Sequence, residues 1–110
     1  MATTVWVLPQ ARREIERTGR ENDINDMLAV LRDEGRVPHS WFHRETPAFD
    51  AFGPPGSAVR VYYARHAGQF VVPGAAHRKR GRGRLSPRLR ATLERRLREW
   101  RETYPTGRQT

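Results

Sequence analysis

The sequence predicts an α+β fold: a small, twisted, mostly antiparallel sheet packed on a helical hairpin and followed by a C-terminal helix, in the order β-α-α-β-β-β-α. Three observations predict it. A β-branched and aromatic run, Thr3-Thr4-Val5-Trp6-Val7-Leu8, opens the chain. Two strand-like runs meet at a tight turn in the middle. Near the end, apolar residues recur every three or four positions, as on one side of a helix. At 110 residues the chain fits a single domain, 1–104, with a disordered tail at 105–110.

Each element has its own warrant. Pro9 stops the first strand, and Gln10 to about Arg20 is polar and helix-prone, with Ala11 and Ile15 four apart. Asn22 or Asp23 can cap a second helix, in which Ile24, Met27, Leu28 and Leu31 form an apolar stripe. Gly35 stands where a glycine ends such a helix, with Pro38 beyond it; the two helices join near Gly19. Residues 39–45 are ambiguous, and 46–52 read as a strand ended by Gly53-Pro54-Pro55-Gly56-Ser57. The best strand follows at 58–65. His66-Ala67-Gly68 turns it back into Gln69-Phe70-Val71-Val72. Val59, Val61 and Tyr63 share one face of the first strand, which reads as core; Arg60 and Tyr62 share the other. Ser86-Pro87 opens the last helix with Ser at the N-cap and Pro at the first turn, and Pro105-Thr106-Gly107 closes it.

Charge separates the two halves. Residues 1–50 hold seven basic and nine acidic groups, a balance of −2; residues 51–110 hold fourteen basic groups and only Glu94, Glu99 and Glu102, a balance of +11. Such asymmetry steers polyanions toward one region. Lys79 is the one lysine among 21 basic residues. Codon bias and the bidentate grip of arginine on phosphate account for that ratio equally well, but codon bias does not produce clustering. No cysteine is present, so no disulfide or thiolate site contributes. No apolar run reaches the roughly 20 residues that span a bilayer, and Met1-Ala2-Thr3-Thr4 lacks the regions of a signal peptide, so a cytoplasmic location is expected. Phosphate-loop, dinucleotide and Ser-His-Asp signatures are missing, which disfavours ATP hydrolysis and redox chemistry.

The sharpest functional signal is Arg78, Lys79, Arg80, Arg82, Arg84, Arg88 and Arg90, seven cations within thirteen positions, interleaved with Gly81 and Gly83. Neighbouring acids are too few to neutralise them, and the glycines let backbone approach a phosphate. The plain alternative is a solvated basic loop. Arg60 sits mid-strand, where a rigid element would hold its guanidinium; the plain alternative is an edge-strand charge that discourages aggregation. Tyr62 and Tyr104 are the best candidates among the aromatics for stacking on unpaired bases, although most aromatics serve the core. His77 adjoins the basic run and is a candidate for proton transfer. His39 and His43, four apart, lack a third ligand and read as surface histidines, so no metal is expected.

Taken together, these segments resemble the RelE/ParE toxin superfamily of type II toxin-antitoxin systems, and within it the HigB-like branch that includes phage-derived relatives. The likeness runs in order over roughly residues 3–104. It is carried by residues 27–35 ending a helical hairpin, Val59-Arg60-Val61-Tyr62-Tyr63 as central strand, Gln69-Phe70-Val71-Val72, Ala76-His77-Arg78-Lys79, and Ser86-Pro87. The loop from Lys79 to Pro87 is longer and richer in Gly and Arg than the family's, and His77 stands where an apolar residue is common. The resemblance implies a ribosome-dependent mRNA endoribonuclease that needs no cofactor. The RNA's own 2′-OH would attack the scissile phosphate. Arg60 and Lys79 would stabilise the phosphorane, and His77 or Tyr62 would move the proton. Arg78, Arg80, Arg82, Arg84, Arg88 and Tyr104 would hold RNA. It also implies an adjacently encoded antitoxin partner. Two other readings compete: a ParE-type gyrase inhibitor, and a non-catalytic basic nucleic-acid-binding module.

Overall fold

A computed structural model describes residues 3–77 and 85–103. It is an α+β fold whose five-stranded mixed sheet has one more strand than the sequence predicts. The elements are β1 (Val5–Val7), α1 (Pro9–Arg17), α2 (Glu21–Glu34), a single 3-10 turn (His39–Trp41), β2 (Phe42–Arg44), β3 (Asp50–Phe52), β4 (Val59–His66), β5 (Gln69–His77) and α3 (Pro87–Thr103). The strand order is β1-β5-β4-β3-β2. β1 runs parallel to β5, and the other three pairings are antiparallel.

The extra strand comes from the segment that the sequence leaves ambiguous. Residues 39–41 coil once and 42–44 extend as β2 against β3. The single strand predicted over 46–52 shortens to 50–52, because the Thr46 hydroxyl accepts the backbone N–H groups of Ala48 and Phe49. That side-chain bond, with Pro47 beside it, offers the backbone a turn in place of a ladder. Two helix starts also move. Pro9 opens α1 instead of merely ending β1, since the first helical position needs no N–H. α2 begins at Glu21, before the expected Asn22 or Asp23 cap; its N-cap is Arg20, and Asp23 instead pairs with the Arg20 guanidinium at 3.0 Å. The helix end is as predicted: Gly35 adopts φ 77° and donates its N–H to Leu31. At the hairpin, Ala67 and Gly68 have φ of 52° and 77°, the pair of positive values that a two-residue turn requires.

Both faces of the sheet are covered. On one lie Val5, Val7, Phe52, Val61, Tyr63, Phe70 and Val72, by register. Rings of Trp41, Phe52, Tyr63 and Phe70 follow one another across it at 5.8–6.4 Å. α2 packs here: Leu28 and Ala29 share a groove with Val5 and Val7, and Arg65 reaches the Gly35 carbonyl. On the other face lie Trp6, Tyr62, Ala64, Val71 and Gly74. α3 packs here, with Leu93 over Gly74 and Trp100 against Trp6 and His66. The expectation that this second face presents an open phenol is therefore corrected. Tyr62 is 0 % exposed on the side of the sheet that α3 covers.

β5 is irregular at its centre. Between the pairs Tyr62↔Gly74 and Ala64↔Val71, β4 advances two residues (62 to 64) while β5 advances three (71 to 74). Pro73 occupies this bulge, the place in a sheet where a residue without an N–H is tolerated. Among the described residues no helix is long and apolar enough to cross a membrane.

Candidate nucleic-acid interface

Arg60 is the second residue of β4 and pairs with Ala76 of β5. Two backbone carbonyls seat its guanidinium: Nη1 donates to Ser57 at 3.0 Å and to Val59 at 2.9 Å. Ser57 closes the turn before β4, and Val59 is the first residue of the strand. In that turn the Ser57 N–H donates to the Pro54 carbonyl at 3.1 Å, and Gly56 at φ 77° supplies the conformation needed at the third position. Gly53 allows the approach. A Cβ there would lie 1.9 Å from the Val59 oxygen and 3.3 Å from Arg60 Nη1. The arginine thus rests half-buried on a fixed turn rather than swinging in solvent.

His77 ends β5 opposite Val59, one register step from the Arg60–Ala76 pair, and is exposed. Register places its side chain on the face opposite to Arg60 and Tyr62. Of the residues that the resemblance assigns to the reaction, Arg60 and Tyr62 share a face and His77 takes the other. Tyr62, enclosed under α3, offers no ring for a base to stack on. Arg88 is exposed in the first turn of α3. That turn is capped as predicted: Ser86 Oγ accepts the Leu89 N–H at 3.2 Å, and Ser86 O accepts the Arg90 N–H at 2.9 Å. Arg78, Lys79, Arg80, Arg82, Arg84 and Tyr104, and the tail at 105–110, lie outside the described residues. The described chain stops at His77, one register step from the Arg60–Ala76 pair, and resumes at Leu85, three residues before Arg88.

Two residues of consequence were missed by sequence reasoning. β1 ends opposite Val72, so beyond that point one side of β5 has no strand neighbour. Glu14 of α1 and Arg96 of α3 fill the gap. Glu14 Oε1 accepts the Ala75 N–H at 3.0 Å, and Arg96 Nη1 donates to the Pro73 carbonyl at 3.0 Å. The two side chains join in a fork, Nη1 to Oε1 at 3.0 Å and Nη2 to Oε2 at 3.1 Å, with only 24 % and 14 % of Glu14 and Arg96 exposed. The one sequence signal was positional. Arg96 is three residues after Leu93 and four before Trp100, on the flank of the apolar stripe.

Tyr63 has a strongly perturbed phenol. Burial first, and then the neighbouring Asp50 carboxylate, push its phenol up to about 12, against a downward pull from Arg65. It packs in the aromatic row under α2 and belongs to the core, not to the interface. No group of three His, Asp or Glu side chains among the described residues is placed to hold a metal ion. His39 and His43 are no exception.

Compared with known proteins, the chain matches no family model, no curated protein and no solved structure.

Proposed function

We propose that this protein binds RNA at the end of the sheet where β4 begins and β5 ends, and that it acts as the toxin of a type II toxin-antitoxin pair, cutting mRNA on the ribosome. One observation carries the reading. A half-buried arginine on the central strand, seated on two backbone carbonyls, stands one register step from the point where seven cations in thirteen positions begin. Arg60 is the fixed cation, and the run from Arg78 to Arg90 would supply further phosphate partners. In such a reaction the 2′-OH forms a bond to the adjacent phosphorus and the 5′-oxygen leaves, giving a cyclic phosphate. The protein supplies orientation, charge stabilisation and a proton for the leaving oxygen. Arg60 and Lys79 are assigned to the phosphate and His77 to the proton. Tyr62, being enclosed, is assigned to supporting the strand. An antitoxin bound at the same end would silence the protein.

A second reading is favoured by one specific observation: His77 and Arg60 project to opposite faces, so a proton donor and a phosphate anchor are not side by side. On that reading the protein binds nucleic acid without cutting it. The two separate in one experiment. Purified protein is added to a defined mRNA with and without translating ribosomes, and the 5′ ends are mapped. In-frame cuts that need ribosomes and vanish with Arg60→Ala support the toxin. Binding without cuts, weakening uniformly as salt is raised, supports the binding module.

A further inference from the structure

We infer that Glu14 and Arg96 form a positioning pair: by clamping the bulged, one-sided half of β5, they set the placement of Ala76 and His77 against Val59 and Arg60. The inference rests on the RNA-cleavage reading of that end of the sheet. Its structural part stands on geometry alone.

A bulge bends its strand and re-aims the residues beyond it. In β5 the bulge spans Pro73, and only three residue steps separate Gly74 from His77, where the basic run begins. The direction of those residues therefore depends on how the bulge is held. β4 holds one side through the pairs Tyr62↔Gly74, Val61↔Ala75, Arg60↔Ala76 and Val59↔His77. On the other side β1 has ended, and the Pro73 carbonyl and Ala75 N–H are taken by the Glu14–Arg96 fork instead. The two side chains come from helices near opposite ends of the chain, 82 residues apart, so α1 and α3 are tied to the same stretch of backbone. Gly74 closes the arrangement. A Cβ there would lie 2.7 Å from Leu93, 3.0 Å from Glu14 Oε1 and 3.1 Å from Arg96 Nη1, so the clamp sits directly on the backbone.

The geometry also says which substitutions are informative. Lysine at 96 keeps the charge but has no planar fork, so it cannot serve the Pro73 carbonyl and both Glu14 oxygens together. Glutamine at 14 keeps an oxygen for the Ala75 N–H and loses the charge that holds Arg96. Neither substitution touches the cations proposed to grip RNA. A positioning role therefore predicts a loss in cleavage rate without a loss in affinity.

The test compares wild type, Glu14→Gln, Arg96→Lys and the exposed control Arg98→Ala, at a temperature where circular dichroism shows all four folded. Single-turnover cleavage on ribosomes is read with RNA affinity and with backbone amide shifts of Val59, Arg60, Ala75, Ala76 and His77. Both clamp variants are expected to cut more slowly by on the order of 10- to 100-fold, as displacements near 1 Å do, with affinity held within about two-fold. Amide shifts would move at Ala75–His77 and Val59–Arg60, and the control would match wild type. Clamp variants that cut at the wild-type rate overturn the inference, as do variants that lose rate only in proportion to affinity. A wild type that does not cut at all ends the parent reading. The clamp is then judged on the amide shifts, where movement confined to those five residues supports it and unchanged shifts overturn it.

Discussion

The two halves of β5 are built on different principles. From Phe70 to Val72 the strand has a neighbour on each side, β1 and β4, and these three residues are at most 2 % exposed. Backbone ladders and apolar packing suffice there. From Pro73 to His77 only β4 remains, the register slips by one residue, and the open side is closed by an ion pair. The regular half anchors the sheet, and the irregular half leads to the proposed interface. An irregular strand has to be held by particular side chains, because an apolar surface alone leaves its bulged backbone groups unpaired.

The contrast can be broken from either side. Phe70→Ala removes a ring packed edge-on to Tyr63 at 5.8 Å, and should lower unfolding free energy by about 3–5 kcal/mol. Denaturant melting would check it, and the loss should spread over the whole sheet. Arg96→Ala leaves the Glu14 carboxylate without its fork, and should cost about 3 kcal/mol because both charges are largely withdrawn from water. A Glu14→Ala, Arg96→Ala double variant should cost less than the sum of the two singles, since each single strands the other's charge. Hydrogen exchange should show the single loss concentrated at Ala75–His77. Gly74→Ala is milder. The new methyl group forces Leu93 aside from 2.7 Å, at about 1–3 kcal/mol, and should loosen the same amides.

The smallest effect belongs to the ring packed against the regular half and is set by pH. An unfolded chain releases the Tyr63 proton near 10.0, and the folded protein at about 12, with burial as the main cause. Between those values the folded state keeps more protons, so stability falls as pH rises through this window, and the contribution is fully present below pH 10. Unfolding measured at intervals from pH 9 upward should show a decline in wild type that Tyr63→Phe lacks.

Legibility from sequence followed the same divide. Regular elements announce themselves locally. The stripe Ile24-Met27-Leu28-Leu31, the glycine at 35, the hairpin at 66–68 and the Ser86-Pro87 start all carry their physical cause within a few residues, and all appear in the structure. Thr46 and Pro47 deceived because a side-chain bond to the backbone competes with a strand, and the residues alone do not say which wins. Alternation along β4 correctly placed Arg60 and Tyr62 on one face. It could not show that α3 returns to cover that face, which is a contact between distant parts of the chain. Glu14 was invisible for a similar reason. In a polar helix it looks no different from Glu16, and only the end of β1 at Val7, with the bulge at Pro73, gives it a task. Nearness to the basic run marked His77 for proton transfer, but not that pairing with Val59 turns it to the face opposite Arg60.

The proposed function turns on Arg60 and the cations that follow His77 in the chain, which are to hold RNA for cutting on the ribosome. Mapping 5′ ends on a defined mRNA in a reconstituted translation reaction, with wild type and Arg60→Ala in parallel, tests this without intermediaries. The expected cuts lie in frame with codons, require ribosomes and fall at least about 100-fold with Arg60→Ala, the scale of losing one preorganised charge partner. Unbroken mRNA with translation proceeding normally, or cuts that persist undiminished without Arg60, would contradict it.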